Sequence, residues 1–240
     1  DGQRVQTDAR PRAGQLLSVR LDDGARHSGI VPAPGPLDLV YEDEDLIVVN
    51  KAPGVPVHPG PGHYNDTLGN FLLWHYDLEG DSADFHPVHR LDRGTSGLLV
   101  AAKHPHAQEI LKRQLHAEGF RRTYLAVCEG RPEPPSGLIS APLGPKDGSL
   151  VEQMVRPDGK PARTRYRVLS AHSGRSLLRL ELDTGRTHQI RVHMAYLGHP
   201  LTGDFLYGRE DRTLISRPAL HSAELSFLHP LTGRLLSFSR

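Results

Sequence analysis

The chain has 240 residues, with 29 Lys/Arg against 28 Asp/Glu, 37% apolar and 6% aromatic residues, a globular composition that excludes a disordered or fibrous chain. Its single cysteine excludes a disulfide framework and a Cys-rich zinc module and suits a reducing cytosol, so a cytoplasmic protein is expected. No apolar run approaches the ~18 residues that a membrane helix needs, and the abundance of Gly (24) and Pro (20) favours a loop-rich, sheet-containing protein over a helical bundle.

In chain order, residues 1–23 read as two short strands with a turn between them, and residues 24–36 (GARHSGIVPAPGP) as a linker without periodicity. A body spanning 37–240 follows. Residues 39–42 and 46–50 flank the acidic turn Asp43-Glu44-Asp45 as a hairpin. The Pro/Gly run 53–62 leaves few backbone donors and reads as an irregular loop. A short helix is expected over 67–75 and a buried strand over 98–102. Residues 105–118 place Ala107, Ile110, Leu111 and Leu115 on one helical face, with Gly119 as the stop.

The second half alternates more clearly. Residues 123–128 form a strand with Tyr124, Ala126 and Cys128 on one face. Thr164, Tyr166 and Val168 alternate with Arg163, Arg165 and Arg167, the pattern of a strand with one solvated basic face. Leu178, Leu180 and Leu182 alternate with Arg179, Glu181 and Asp183. Thr184-Gly185-Arg186 turns the chain, and Thr187 caps a helix that runs to residue 197. Two last strands, 220–228 and 235–239, pair across 229–234. These elements add up to an α+β domain on a mixed, mostly antiparallel sheet.

The near-neutral total charge hides an uneven distribution. Residues 160–191 carry eight Lys/Arg against Glu181 and Asp183, while acidic residues gather at 38–45 and 77–84. Such a two-signed surface tracks a phosphate backbone on one side and stays soluble; solvated strand faces explain the same charges.

Several short motifs carry no chemistry. Asp183-Thr184-Gly185 matches the aspartic-protease triplet, but those enzymes need two aspartates sharing a proton, and no second triplet occurs. Gly60-Pro61-Gly62 lacks the third glycine and the strand of a dinucleotide fingerprint. Ser96 lies outside a Gly-x-Ser-x-Gly elbow. The fifteen histidines include no His-Glu-x-x-His, and His188 and His193 are five apart, off a shared helical face. No metal site is expected.

The informative segment is HRLDRGTSGLLV, residues 89–100. By itself, an Asp before Gly-Thr-Ser-Gly is a turn former whose carboxylate bonds nearby amides. Here Asp92 is also flanked by His89, Arg90 and Arg93, and cationic neighbours hold a carboxylate ionised, as a nucleophile or base requires.

Residues 89–103 (HRLDRGTSGLLVAAK) resemble the signature of the RluA-type pseudouridine synthases, in particular their RluC- and RluD-like members. Residues 41–60 (YEDEDLIVVNKAPGVPVHPG) are similar to that family's first block, and 122–130 (RTYLAVCEG) to its Tyr-containing strand. Residues 184–208 (TGRTHQIRVHMAYLGHPLTGDFLYG) resemble its third motif and 219–233 (ALHSAELSFLHPLTG) its closing block, all in the family's order. The resemblance implies a pseudouridine synthase fold with an RNA-binding cleft, acting on ribosomal RNA of the large subunit or else on tRNA. Residues 1–23 then resemble the last strands of an S4-like RNA-binding module.

The resemblance also implies roles. Asp92 matches the family's essential aspartate, Arg191 the arginine that pairs with it in bidentate geometry, and Tyr124 the tyrosine that stacks on the target base, its hydroxyl a candidate to help remove the C5 proton. Arg90 matches a residue that in some members fills the gap left by the flipped nucleotide. Lys51, Arg93, Arg163, Arg165, Arg186 and His188 are expected among the RNA contacts. The reaction needs no metal or other cofactor, and a monomer is expected. Asp92 attacks C1′, adds to C6, or abstracts the 2′ hydrogen to give a glycal, the route favoured for the family; all three need the carboxylate in nearly the same place. A catalytically inactive RNA-binding protein of this fold, and a dimeric hydrolase using Asp183, are the competing readings.

Overall fold

The computed structural model describes residues 10, 12–16, 26–115, 117 and 119–240. The strands expected within 1–23 fall mainly on residues outside this set, as does part of the chain expected to end the helix over 105–118. In order, the elements are β1 (Leu39–Glu42), β2 (Leu46–Lys51), α1 (Leu68–Leu78), β3 (His86–Pro87), β4 (Ser96–Ala102), α2 (Pro105–Leu115), β5 (Arg121–Glu129), β6 (Ser136–Ser140), β7 (Leu143–Pro145), β8 (Gln153–Val155), β9 (Arg163–His172), β10 (Arg175–Leu182), α3 (Gln189–Tyr196), β11 (Leu220–Leu228) and β12 (Leu235–Ser239).

The sheet runs β1-β2-β4-β11-β5-β10-β9-β6, with β12 beside β11 and β3 beside β4. Among the described residues, only β4 and β11 pair in parallel in this sheet; its other pairings are antiparallel, so the α+β expectation holds. That parallel step brings two main chains close. Gly97 sits there at φ +110°, and a Cβ at this position would collide with the Ser222 backbone. The Ser222 hydroxyl donates to the Leu98 carbonyl at 2.9 Å across the same step.

The core has two sides, which explains why β2 and β4 read as continuous apolar runs. Ile47, Val49, Leu99 and Ala101 face one way, against Leu68, Leu72, Leu73 and Tyr76. Leu46, Val48, Leu98, Val100 and Ala102 face the other, against Ala107, Leu111 and Phe227. Helix α1 begins at Thr67, whose hydroxyl accepts from the Asn70 amide while the Asn70 side chain reciprocates at the Thr67 amide.

Helix α3 departs from expectation at its start. Thr187 does not cap it; the residue before the helix is His188, in the left-handed region at φ 56°, with no side-chain cap. The Gln189 side-chain oxygen instead accepts from the Arg186 amide (3.0 Å) and the Thr184 hydroxyl (2.8 Å), which ties the turn from β10 to the helix.

The segment expected to be a linker has no regular structure over residues 26–36, yet it is fastened to the body. Arg26 pairs with Asp77 at 2.7 Å, the Asp84 carboxylate accepts from the His27 and Ser28 amides, and Asn70 donates to the Val31 carbonyl. Gly35 lies against the Phe71 ring so closely that a Cβ there would overlap it.

Candidate active site

The β3–β4 loop carries Asp92, and the main chain does the turn-forming. The Thr95 amide donates to the Asp92 backbone carbonyl at 3.0 Å, so the carboxylate is not consumed by its own loop. The loop is gripped from behind by two cations. Lys51 Nζ donates to the carbonyls of Ala52, Val55 and Arg93 at 2.9, 2.8 and 3.3 Å. Arg217 donates to those of Gly94, Pro218 and Leu220.

The Asp92 carboxylate meets α3. Arg191 Nη1 donates to its Oδ2 at 3.4 Å, and His188 Nε2 lies 4.0 Å from the same oxygen. The bidentate pairing expected with Asp92 goes elsewhere: Arg191 Nε and Nη2 donate to the two oxygens of Asp204, each at 2.8 Å. Asp204 is fully buried and also accepts from the Leu206 and Tyr207 amides. Arg191 is thus aimed by one carboxylate and presents its remaining nitrogen to the other. Burial works against its charge, but the hydrogen bonds and charge of Asp204, with the charge of Asp92, keep its pKa raised.

His188 is held by Tyr207, whose hydroxyl lies 2.7 Å from Nδ1 and accepts from the Gln153 amide. With that hydroxyl donating to Nδ1, the ring proton sits on Nε2, toward Asp92. Burial, and then the nearby Arg191, lower the His188 pKa against the pull of Asp92, so the ring is neutral at pH 7.

Asp92, Arg191, His188 and Tyr124 line one open cleft of about 870 Å³, together with Arg90, Arg93 and Arg186. Tyr124 is 4% exposed. Burial, opposed by the Arg122 charge and aided by that of Asp92, raises its pKa, so the hydroxyl keeps its proton at neutral pH, which favours a stacking surface over a base. Arg90, Arg93 and Arg186 are exposed at the rim; Arg93 approaches His63 Nε2 at 3.0 Å and Arg186 donates to the Pro161 carbonyl.

Three expectations meet burial or pairing. Lys51 is 2% exposed and lies outside the cleft lining; burial pushes its pKa down to about 8 despite the charge of Asp92. His89 is no cation beside Asp92, because burial and then the charge of Arg122 push its pKa down to about 3. Arg163 and Arg165 lie on β9 outside the cleft lining and share the carboxylate of Asp183 at 3.4 and 3.2 Å. That same pairing occupies Asp183. Sequence reasoning missed Asp204, which within Gly-Asp-Phe looks like a turn residue.

A grouping with ligand spacing, Asp43, Asp45 and His229, lies outside the cleft. His229 Nδ1 accepts from the Leu231 and Thr232 amides, so Nε2 carries the proton and donates to Asp43 at 3.0 Å. His104 repeats the pattern, accepting from the Ala107 amide and donating to Asp45 at 2.9 Å. The two imidazoles are hydrogen-bonded staples between turns and have no lone pair left for a metal.

The fold and these motifs agree with known proteins. The family model described as RNA pseudouridylate synthase matches residues 45–196. A Bacillus subtilis protein named "Uncharacterized RNA pseudouridine synthase YjbO" is 42% identical over 99% of this chain and 84% of its own length. "Ribosomal large subunit pseudouridine synthase D" of Pasteurella multocida is 40% identical over 92% of this chain and 71% of its own. Among solved structures, "Human RNA Pseudouridylate Synthase Domain Containing 1" superposes with a TM-score of 0.70 at 28% identity, covering 86% of this chain and 85% of that one.

Proposed function

Because the chain belongs to the RNA pseudouridylate synthase family, and so is an isomerase acting on RNA, we propose that it converts one uridine of large-subunit ribosomal RNA to pseudouridine with Asp92 as the reacting carboxylate. The observation that carries this reading is the free Asp92 carboxylate, held 3.4 Å from a buried arginine in a cleft walled by Tyr124.

The reaction breaks the N1–C1′ bond, turns the detached uracil and joins C5 to C1′; N1 gains a proton and C5 loses one. The target base leaves its stack at a cost of a few kcal/mol, which stacking on Tyr124 and phosphate contacts from Arg90, Arg93 and Arg186 offset. Arg90 enters the gap that the base leaves. Arg191 holds the Asp92 carboxylate in place while the buried anchor Asp204 keeps Arg191 from swinging away. The large-subunit substrate follows from the name of the Pasteurella multocida relative, a ribosomal large subunit pseudouridine synthase. The protein works as a monomer in the cytoplasm.

The test is pseudouridine mapping of ribosomal and transfer RNA from cells lacking the gene, before and after incubation with the protein. One new pseudouridine in large-subunit RNA is the expected result. A new site confined to tRNA contradicts the substrate, and none in either contradicts the enzymatic reading.

A further inference from the structure

Among the described residues, Arg122 is the one buried cation of the cleft whose charge no partner in the fold accounts for. It lies on β5 two residues before Tyr124, on the same face of the strand, and lines the cleft while only 6% exposed. Its Nε meets no hydrogen-bond partner, and no described residue pairs with its guanidinium. The other buried cations are all served: Arg191 by Asp204 and Asp92, Lys103 by Glu42 and Asp81, Lys51 by three carbonyls.

Its surroundings are arranged to leave it so. The neighbours that feel its charge, His89 and Tyr124, are both held neutral. Asp183, the acid nearest along the chain to the turn beneath the guanidinium, is occupied by Arg163 and Arg165. At Gly185 in that turn, a Cβ would stand 3.0 Å from Arg122 Nη1, so the missing side chain leaves room for the guanidinium. Burying an unpaired charge is unfavourable in the free protein, and an anion arriving in the cleft relieves it.

We propose that Arg122 receives a backbone phosphate of the nucleotide whose base rests on Tyr124, a proposal that rests on reading the cleft as a uridine site. One strand repeat, roughly 6.6 Å, separates the two residues along β5, within the span of a single nucleotide. A planar guanidinium matches two phosphate oxygens, and the dry wall around it strengthens each hydrogen bond.

The test is equilibrium binding of a fluorescent single-stranded oligouridine as a function of salt, with thermal unfolding in parallel; a single strand needs no unstacking from a duplex. Arg122→Gln should weaken binding about tenfold near 0.1 M salt and lower the slope of log K against log salt by about 0.7 to 1. Its thermal midpoint should stay level or rise, because an unpaired buried charge is gone. Arg122→Lys should keep the slope. An unchanged slope in Arg122→Gln, or a lost midpoint with affinity intact, overturns the phosphate site and makes Arg122 a packing residue. Wild-type turnover of ribosomal RNA is scored separately: turnover with an unchanged slope sinks this proposal alone, and a changed slope without turnover sinks the reaction alone.

Discussion

Asp92 owes its freedom to the backbone around it. The Thr95 amide closes the turn on a carbonyl, and the carboxylate that a turn-forming aspartate would spend locally is left for Arg191. Motif matching singled out Asp92, Tyr124 and Arg191, which the fold brings to one cleft, because each sits in a distinctive string of residues. It did not reveal that Lys51 and His89 are buried, because burial is a property of the folded neighbourhood: a lysine just before a Pro/Gly loop and a histidine before arginine look solvated. Asp204 was illegible for the opposite reason, since a lone aspartate after glycine resembles many surface turns. The buried His89 gives a pH prediction. Its pKa of about 3, against an ordinary value near 6.5, means that the unfolded chain takes up a proton below pH 6.5 that the native ring refuses. Stability is therefore lost as pH falls from 6.5 toward 3. His89→Phe, packed against Phe120, should show a pH profile between 6.5 and 4 shallower than wild type by about 1.4 kcal/mol per pH unit. Denaturant midpoints measured across that range check it, and parallel profiles would contradict it.

Among the elements, the strongly patterned ones were legible and the weakly patterned ones were not. Strands β2 and β4 are apolar on both faces, and β9 and β10 alternate cleanly, so each declares itself. Strands β3, β7 and β8 are two or three residues long, and β6 has only Ile139 buried; none carries a period that sequence reading can find. The start of α3 was misplaced because Gln189, inside the helix, takes over the task of a cap residue. The junction of β2 with the following loop is where Lys51 acts, joining the Ala52 and Val55 carbonyls to the Asp92 loop. Lys51→Met leaves three carbonyls without that donor and should lower stability by about 1–3 kcal/mol, with the salt slope of RNA binding unchanged. A slope reduced by about one at unchanged stability would instead return Lys51 to the RNA surface.

For the whole molecule, the sheet is a scaffold that brings residues from distant parts of the chain to one cleft: Asp92 from the β3–β4 loop, Tyr124 from β5, and His188 and Arg191 from the start of α3. The near-zero net charge conceals this, because the cleft-side arginines are balanced by acidic residues elsewhere. Part of the basic surplus seen in the sequence is also spent internally, with Arg163 and Arg165 on Asp183 and Arg179 on Glu224. The central claim is that this cleft isomerises uridine with Asp92 as the reacting group. It is tested most directly by tritium release from ribosomal RNA labelled at uridine C5 and taken from cells lacking the gene, with wild type and Asp92→Ala side by side. Release by wild type alone, with RNA affinity of the variant within a few-fold, is the predicted result. Release by Asp92→Ala at the wild-type rate would contradict the account.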